Sequence, residues 1–362
     1  MEKKRIKIGF IGLNPGSHWA AMAHIPALKS LTDDFEVIGV ANSTPESAKA
    51  TADALGLAYA FENADALVAS PEVDLVVVTV KVPHHYELVK SVLEAGKHVY
   101  CEHPLGNGLE ESKQLAELAE SKGVVAVVGT QMVNAPEVLY LKKLIEDGYV
   151  GKVLSTTLIG SGGNWGDMAT TDSYYLFDKA NGADMLNIPL GHTLAGLTSV
   201  LGDFETLKAQ MFNNFPQVKL TDTGELKPKT AEDQILIAGK LKSGAAVSVH
   251  YRGGMSKGTN LLWEINGTDG DIQVSGANGH GQMIQLEIKG AKGEDEELKP
   301  LTPPSDMYDG LPDNSIARNV ACIYKLLAGD IRNNTRNAPT FKSAAKLHEL
   351  LHAVVQSSEQ ND

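Results

Sequence analysis

The first 130 residues repeat one pattern, an apolar run of strand length followed by a helical segment. The runs are IKIGFIG (6–12), FEVIGVAN (35–42), VDLVVVTV (73–80), KHVYCEH (97–103) and VVAVVGT (124–130). They are rich in Val and Ile and nearly uninterrupted, which is what strands covered on both faces of a parallel sheet require. Between them, 19–31, 45–55, 85–95 and 109–122 read as helices, with Pro45 at a helix start and Gly96 and Gly123 just past helix ends. Repeated β-α units imply right-handed crossovers, so this part predicts a doubly wound Rossmann sheet.

The pattern changes after about residue 130. A helix over 136–147, ending at Gly148, leads into strands that alternate apolar with polar residues: TLKAQMFNNF, QILIAGKLK, AAVSVHYRG, LLWEINGT and DIQVSG. KSGA (242–245) and TDGD (268–271) are hairpin-turn chemistry between them. The expected fold class is α/β: an N-terminal Rossmann domain, 1–130, and a C-terminal α+β domain, 131–362, built on a large, mainly antiparallel open sheet. The last helix, FKSAAKLHELLHAVVQSS, carries one apolar stripe and is free to pack back on the first domain. One face of a half-exposed sheet needs cover, which predicts a homodimer or homotetramer formed through it. The stretch 289–314 reads as a mobile surface connection.

Charge narrows the partners. With 32 basic and 45 acidic side chains the formal charge is −13, against the basic footprint that nucleic acid or an anionic membrane surface demands. Cys101 and Cys322 are the only cysteines and fit neither a disulfide framework nor a metal signature. No apolar run approaches the roughly 20 residues of a membrane span, and the N-terminal apolar run is too short for a signal-peptide core. A soluble, cytoplasmic protein is expected.

The first strand runs into Gly12, Leu13, Asn14, Pro15, Gly16, Ser17, His18 and Trp19 before a helix. Glycines between a first strand and a helix let backbone N–H groups approach a pyrophosphate. The spacing departs from G-x-G-x-x-G: Asn14 stands at the second glycine, where it is expected to take the positive φ. An acid usually closes the second strand in sites for NAD. Here that place reads Asn42, Ser43, Thr44, which removes repulsion toward a 2′-phosphate and leans toward NADP without excluding NAD. Lys49 on the next helix is a possible helper, and the same residues also read as a helix cap.

Taken in order, GFIGLN…HIPAL (9–28), VTVKVPHHYELV (78–89), EAGKHVYCEHPLG (94–106), LIEDGYVGKV (144–153) and INGTDGDIQV (265–274) resemble the Gfo/Idh/MocA family of sugar and polyol oxidoreductases. The long loop, GGNWG (162–166) and NGADMLNIPLGHT (181–193) are similar to its Gal80-like branch, whose members bind a dinucleotide and regulate transcription.

The resemblance implies site residues. The family's Glu-Lys-Pro becomes Glu102, His103, Pro104, so His103 replaces the lysine as proton acceptor or substrate contact, and Glu102 stays at the nicotinamide end. An imidazole titrates near neutral pH and suits general base work. His192 matches the family's acid/base histidine; the aspartate expected four residues earlier is Ile188, with Asn187 five and Asp184 eight residues before it. Val82, Pro83, His85 and Gln131 match the cofactor wall, and Val133 stands where an arginine is frequent. Trp165, flanked by glycines, is a candidate platform for a sugar ring or else a packing residue. His84, His85, Asp172, Asp184, His192 and His250 have no metal spacing, and His348 and His352 read as a solvated helix face, so no metal is predicted. The leading function is an NAD(P)-dependent oxidoreductase of a sugar or polyol secondary alcohol; its rival is a non-catalytic dinucleotide-binding transcriptional regulator, and a third reading is an oxidoreductase fold that keeps its cofactor bound for a redox-neutral reaction on sugars.

Overall fold

The computed structural model describes residues 4–16 and 19–360. The chain divides into two compact units. The first holds the residues through Gln131 together with Asp309–His348; the second holds Met132–Tyr308 and the chain from Glu349 onward.

Six parallel strands form the first unit's sheet: β1 (Ile6–Ile11), β2 (Phe35–Ala41), β3 (Tyr59–Ala60), β4 (Leu75–Val78), β5 (His98–Glu102) and β6 (Ala126–Gly129), in the order β3-β2-β1-β4-β5-β6. That order reverses between β1 and β4, which places the crevice for a ligand outside their carboxyl ends. Alternation along the strands divides the core. Ile6, Ile8, Phe10, Val125 and Val127 face one way with Ala27 and Leu28 of helix α1 (Ile25–Lys29). Ala48 and Ala52 of α2 (Pro45–Leu55) pack on that same side. Ile11, Val76, Val78, Val99 and Cys101 face the other, against α3 (Ala64–Ala69), α4 (His85–Glu94) and α5 (Leu109–Lys122). Thr44 caps α2 by accepting from Ser47 N at 3.2 Å, and Gly56 ends it at φ 67°. β3 and α3 were not foreseen, since both residues of β3 are exposed and α3 is only six residues long.

In the second unit α6 (Pro136–Glu146) precedes β7 (Val153–Ser161), and α7 (Gly191–Leu201) precedes β9 (Phe204–Phe212). With β12 (Gln234–Leu241), β13 (Ala246–Arg252), β14 (Leu261–Gly267), β15 (Gly270–Gly276), β16 (Glu287–Lys292) and β17 (Lys299–Pro300) these strands make an eight-stranded sheet. Its order is β17-β16-β15-β14-β7-β13-β12-β9, antiparallel except where β13 meets β7. A small sheet pairs β8 (Met168–Ala169), β10 (Gln217–Leu220) and β11 (Leu226–Pro228). The stretch 289–314 is not simply a connection: it supplies the end of β16 and all of β17. Polar residues suit an exposed edge strand, so composition alone misread them.

The large sheet is two-faced. Ile235, Ile237, Val247, Val249, Leu158, Trp263 and Ile265 point inward and are buried. On the other face, register aligns Leu236, His250, Ile159 and Leu262 in one row across β12, β13, β7 and β14.

Two long helices close the chain, α8 (Ser315–Asn333) and α9 (Phe341–Glu359). Val320, Ile323, Tyr324 and Leu327 of α8 join the core on the β1 face. The end of α9 covers the edge strand β9, where Ser357 and Ser358 hydroxyls accept from Ala209 N and Met211 N at 3.0 Å each.

Candidate functional site

In the first unit the phosphate loop is held from three sides. Gly12 has φ 90°, and a Cβ there would lie 2.5 Å from Val80 Cγ1. Its carbonyl accepts from Thr79 Oγ1 at 2.7 Å. Asn42 grips the next residue with its whole amide: Leu13 N donates to Oδ1 at 3.0 Å, and Nδ2 donates to Leu13 O at 2.9 Å. Asn42 is therefore committed to the loop, while Ser43 and Thr44 are exposed. Lys49 is paired along its helix with Asp53 at 3.2 Å.

The positive φ expected at Asn14 is not there. Among the described residues only Trp165 and Asn334 adopt it without being glycine. Asn14 instead closes the turn with its side chain, Oδ1 accepting from Gly16 N at 3.0 Å. Ser17 lies outside the described residues. The indole N–H of Trp19 is buried and meets no acceptor among the described residues, an orphan donor at the start of the helix that leaves the loop. A φ that only glycine tolerates, a side-chain clamp and an orphan donor together fit a dinucleotide pyrophosphate.

Helix entry is unusual. Ala20–His24 form a π-turn, the class of distortion often found at functional sites. It delivers His24, fully buried, to the end of β5. His24 Nε2 lies 2.8 Å from Glu102 Oε1 and its Nδ1 2.8 Å from the Tyr324 hydroxyl of α8. Gln131, in the turn after β6, donates Nε2–H to both Glu102 oxygens at 3.1 and 2.9 Å. Gly129 leaves the room, since a Cβ there would stand 2.7 Å from Gln131 Nε2 and from Glu102 Oε1. Burial, then the Glu102 charge, raises the Tyr324 and Tyr100 hydroxyls far above their usual range, so both keep their protons.

Beside this network, His103 is 6% exposed and joins Pro104 through a cis peptide bond. His85 faces two carbonyls, Nδ1 at 2.7 Å from Pro104 O and Nε2 at 3.0 Å from Val80 O. Both ring nitrogens are engaged, so His85 ties the end of β4 to the end of β5 and offers nothing polar to a ligand. Burial lowers its pKa against the pull of those carbonyls. Val82 is buried and Pro83 exposed in the same turn. His348 is not on a solvated face: it is 2% exposed, its ring lies 6.1 Å from that of His103, and burial pushes its pKa down to about 4. His352 is exposed.

The second unit contains a second π-turn, Leu186–Leu190, directly before His192. Leu190 N donates to Met185 O, five residues back, at 3.1 Å. The widened turn adds one residue to the register, so α-helical offsets counted back from His192 fall one short. Asp184, 6% exposed, accepts from both Asn187 N and Asn187 Nδ2 at 2.9 Å. Burial first, offset in part by the Asn187 bonds, raises its pKa to about 6. His192 is 3% exposed.

Trp165 is not an open platform for a sugar ring. It is 1% exposed, its Nε1–H donates to Leu176 O at 2.8 Å, and its ring stacks on His280 at 6.0 Å. The flanking glycines serve close packing: a Cβ on Gly166 would sit 3.3 Å from Gly254 Cα and one on Gly162 2.9 Å from the Trp165 ring, while across from them a Cβ on Gly253 would sit 2.3 Å from Trp165 O. Nearby, Lys229 and Asp233 form an ion pair of 2.9 Å with both side chains fully buried, a feature the sequence reading passed over. Among the described residues no group of three or more His, Cys, Asp or Glu is placed to hold a metal ion.

Comparison with known proteins matches two family models to the chain. Residues 6–130 match the family model described as "Oxidoreductase family, NAD-binding Rossmann fold", and residues 136–276 match "Gal80p, C-terminal domain". The galactose/lactose metabolism regulatory protein GAL80 of Saccharomyces cerevisiae is 29% identical over 98% of this chain and 92% of its own length. The crystal structure of a super-repressor mutant of Gal80p from that yeast superposes with TM-score 0.90 and 28% identity, covering 99% of this chain and 97% of that one. Dehydrogenase aclE of Aspergillus oryzae is 35% identical over 75% of this chain and 77% of its own length. Levoglucosan dehydrogenase of Pseudarthrobacter phenanthrenivorans is 25% identical over 64% of this chain and 63% of its own.

Proposed function

The chain belongs to the Gfo/Idh/MocA oxidoreductase family, and from that membership we propose that it oxidises or reduces a sugar or polyol at a secondary alcohol with NAD(P). The observation that carries catalysis is Asp184. It is a carboxyl almost fully buried two helical turns before His192, held by Asn187 N and Nδ2 at 2.9 Å. Burial raises its pKa to about 6, which suits a group that exchanges a proton near neutral pH. The dinucleotide supplies the hydride acceptor at its nicotinamide ring. The chain's own residues do the rest. Gly12 and the exposed Asn14–Gly16 turn bind the pyrophosphate, and Asn42 keeps that loop in shape. Glu102 and Gln131 shape the nicotinamide end. His103 and His192 take up the hydroxyl proton, while Asp184 and Asn187 orient the hydroxyls. Ser43 and Thr44, with no acid at the end of β2, favour NADP. A cytoplasmic enzyme working as a homodimer or homotetramer through the open face bearing Leu236, Ile159 and Leu262 completes the reading.

The second reading, a dinucleotide-binding regulator, is favoured by one observation: the regulatory GAL80 protein of yeast aligns with 98% of this chain. Screening sugars and polyols at 340 nm with NAD+ and NADP+ separates the two. Turnover that is lost in His192→Ala supports the enzyme; dinucleotide binding without turnover on any substrate supports the regulator.

Asp184→Asn adds a split that a structural carboxyl would not give. Its folded pKa lies above the unfolded value, so the stability it contributes is present below pH about 4 and lost as pH rises through about 6. The amide keeps the acceptor for Asn187 and removes the buried charge. At pH 8 the variant is expected to unfold about 1–3 kcal/mol later than wild type in urea while its turnover falls at least about tenfold. Equal stability at pH 5 and pH 8 in both proteins would contradict the assignment.

A further inference from the structure

Charge around Asp184 does not balance. Its carboxyl takes both Asn187 bonds, from the backbone N and from Nδ2, on the one oxygen Oδ1. Leu186 N adds only a weaker contact, and among the described residues no side chain donates to Oδ2. Asp184 keeps 6% of its surface, and Oδ2 is not among the sealed polar atoms that lack a partner. The groups that act most strongly on this carboxyl are Asn187, Leu186 and a second acid, Glu232, with no lysine or arginine among them. The neighbouring cations are spent elsewhere: Lys179 lies 3.6 Å from Glu232, and Lys229 lies 2.9 Å from Asp233. Three acids, Asp184, Glu232 and Asp233, therefore stand against two lysines. Asp233 shows how this chain settles a buried carboxylate, with an ammonium directly on one oxygen. Asp184 has no such partner, in surroundings where a lone charge is costly.

We propose that this site takes an aminated sugar or polyol, whose ammonium donates to Asp184 Oδ2 and supplies the missing positive charge. The inference rests on the sugar or polyol reading above and narrows its substrate class. A ligand hydroxyl would fill the same oxygen but leave the charge unanswered; an ammonium does both, as Lys229 does for Asp233. The same imbalance excludes acids. A uronate or a sugar phosphate would bring a further negative charge beside Asp184 and Glu232, with both lysines already paired. The net charge of −13 draws any cation weakly to the whole surface, so the assignment turns on Asp184 itself.

The probes are matched sets: glucosamine, N-acetylglucosamine, glucose and glucuronate, with the mannose series beside them. Each is titrated by ligand-observed NMR into the whole protein at pH 7, above the Asp184 pKa of about 6, with and without NAD+ or NADP+. Binding is read directly, so the result does not depend on turnover. In wild type at least one amino sugar is expected to bind about tenfold tighter than its N-acetyl form and its parent, with the uronate weakest. Asp184→Asn keeps an acceptor in place without the charge, and is expected to bring that set within about twofold. Asp147→Asn removes one exposed acid of α6, paired with Lys143, and is expected to leave the preference as in wild type. A neutral parent that binds wild type as tightly as its amine overturns the proposal and leaves the sugar reading standing. A preference that survives in Asp184→Asn, or that falls equally in Asp147→Asn, also overturns it, since the general field would then be the cause. If no sugar of any charge binds, the sugar reading fails and the proposal with it.

Discussion

Asp233→Ala is expected to lower the unfolding free energy by about 3–5 kcal/mol, enough to unfold a marginal protein. Lys229 and Asp233 are both fully buried, and the ammonium is held by Asp233 Oδ2 at 2.9 Å and Asn213 Oδ1 at 3.1 Å. The same Oδ2 accepts from Asn214 N at 2.9 Å and Phe215 N at 3.0 Å. Truncation strands a buried ammonium and two backbone N–H groups at once. Burial already outweighs the ion pair and lowers the Lys229 pKa, so the stranded amine would shed its proton to survive. Replacing both partners with apolar residues, Lys229→Met with Asp233→Leu, is expected to recover only the part of the loss due to the stranded ammonium, because the Asn214 and Phe215 N–H groups stay unpaired in the double variant. Urea denaturation of the three proteins decides it; a single-variant loss below about 1 kcal/mol would show that the pair is solvated. The pair matters beyond stability. It stands at the start of β12, where a Cβ on Gly253 would meet Asp233 Cβ at 3.0 Å and Trp165 O at 2.3 Å. Loosening it frees the Trp165 loop.

Gly12→Ala is expected to reduce dinucleotide affinity by about a hundredfold or more. Two costs coincide at this residue. A φ of 90° disfavours any side chain, and the new methyl would lie 2.5 Å from Val80 Cγ1. The backbone must shift, taking with it the Leu13 peptide that Asn42 grips. Gly56→Ala is the matched control: it has φ 67° but nothing within 4 Å, so it carries the conformational cost without the clash. It is expected to lose about 1 kcal/mol of stability and keep normal affinity. Fluorescence titration with NADH compares them. Similar affinities for the two variants would mean that the loop tolerates a moved Gly12.

Much of the fold was legible because its signals are local. Unbroken Val and Ile runs marked five of the six strands in the first sheet, and alternation marked the open sheet of the second unit. Pro45, Gly123 and Gly148 punctuate helices where their backbone geometry demands it. The misses share a physical cause, dependence on contacts far along the chain or on a local period other than 3.6. Two π-turns, at Ala20–His24 and Leu186–Leu190, broke the helical count just where His24 and His192 stand. His348 looked solvated because half of an amphipathic face was assigned from spacing, whereas its ring packs on His103. Trp165 looked available to a ligand because glycines surround it, yet those glycines admit backbone, and the indole is enclosed. Tyr324 carries no motif at all; only the return of α8 to the first unit's core brings its hydroxyl to His24.

Hydride transfer is the central claim, and the most direct test follows the hydrogen itself. The protein is incubated with NAD+ or NADP+ and a panel of sugars and polyols deuterated at their carbinol carbons, and the dinucleotide is recovered for proton NMR and mass analysis. The account predicts deuterium at C4 of the nicotinamide, on one face of the ring, with at least one substrate, and none with His192→Ala. Dinucleotide that binds tightly yet returns unlabelled across the whole panel would contradict it and leave the regulator in its place.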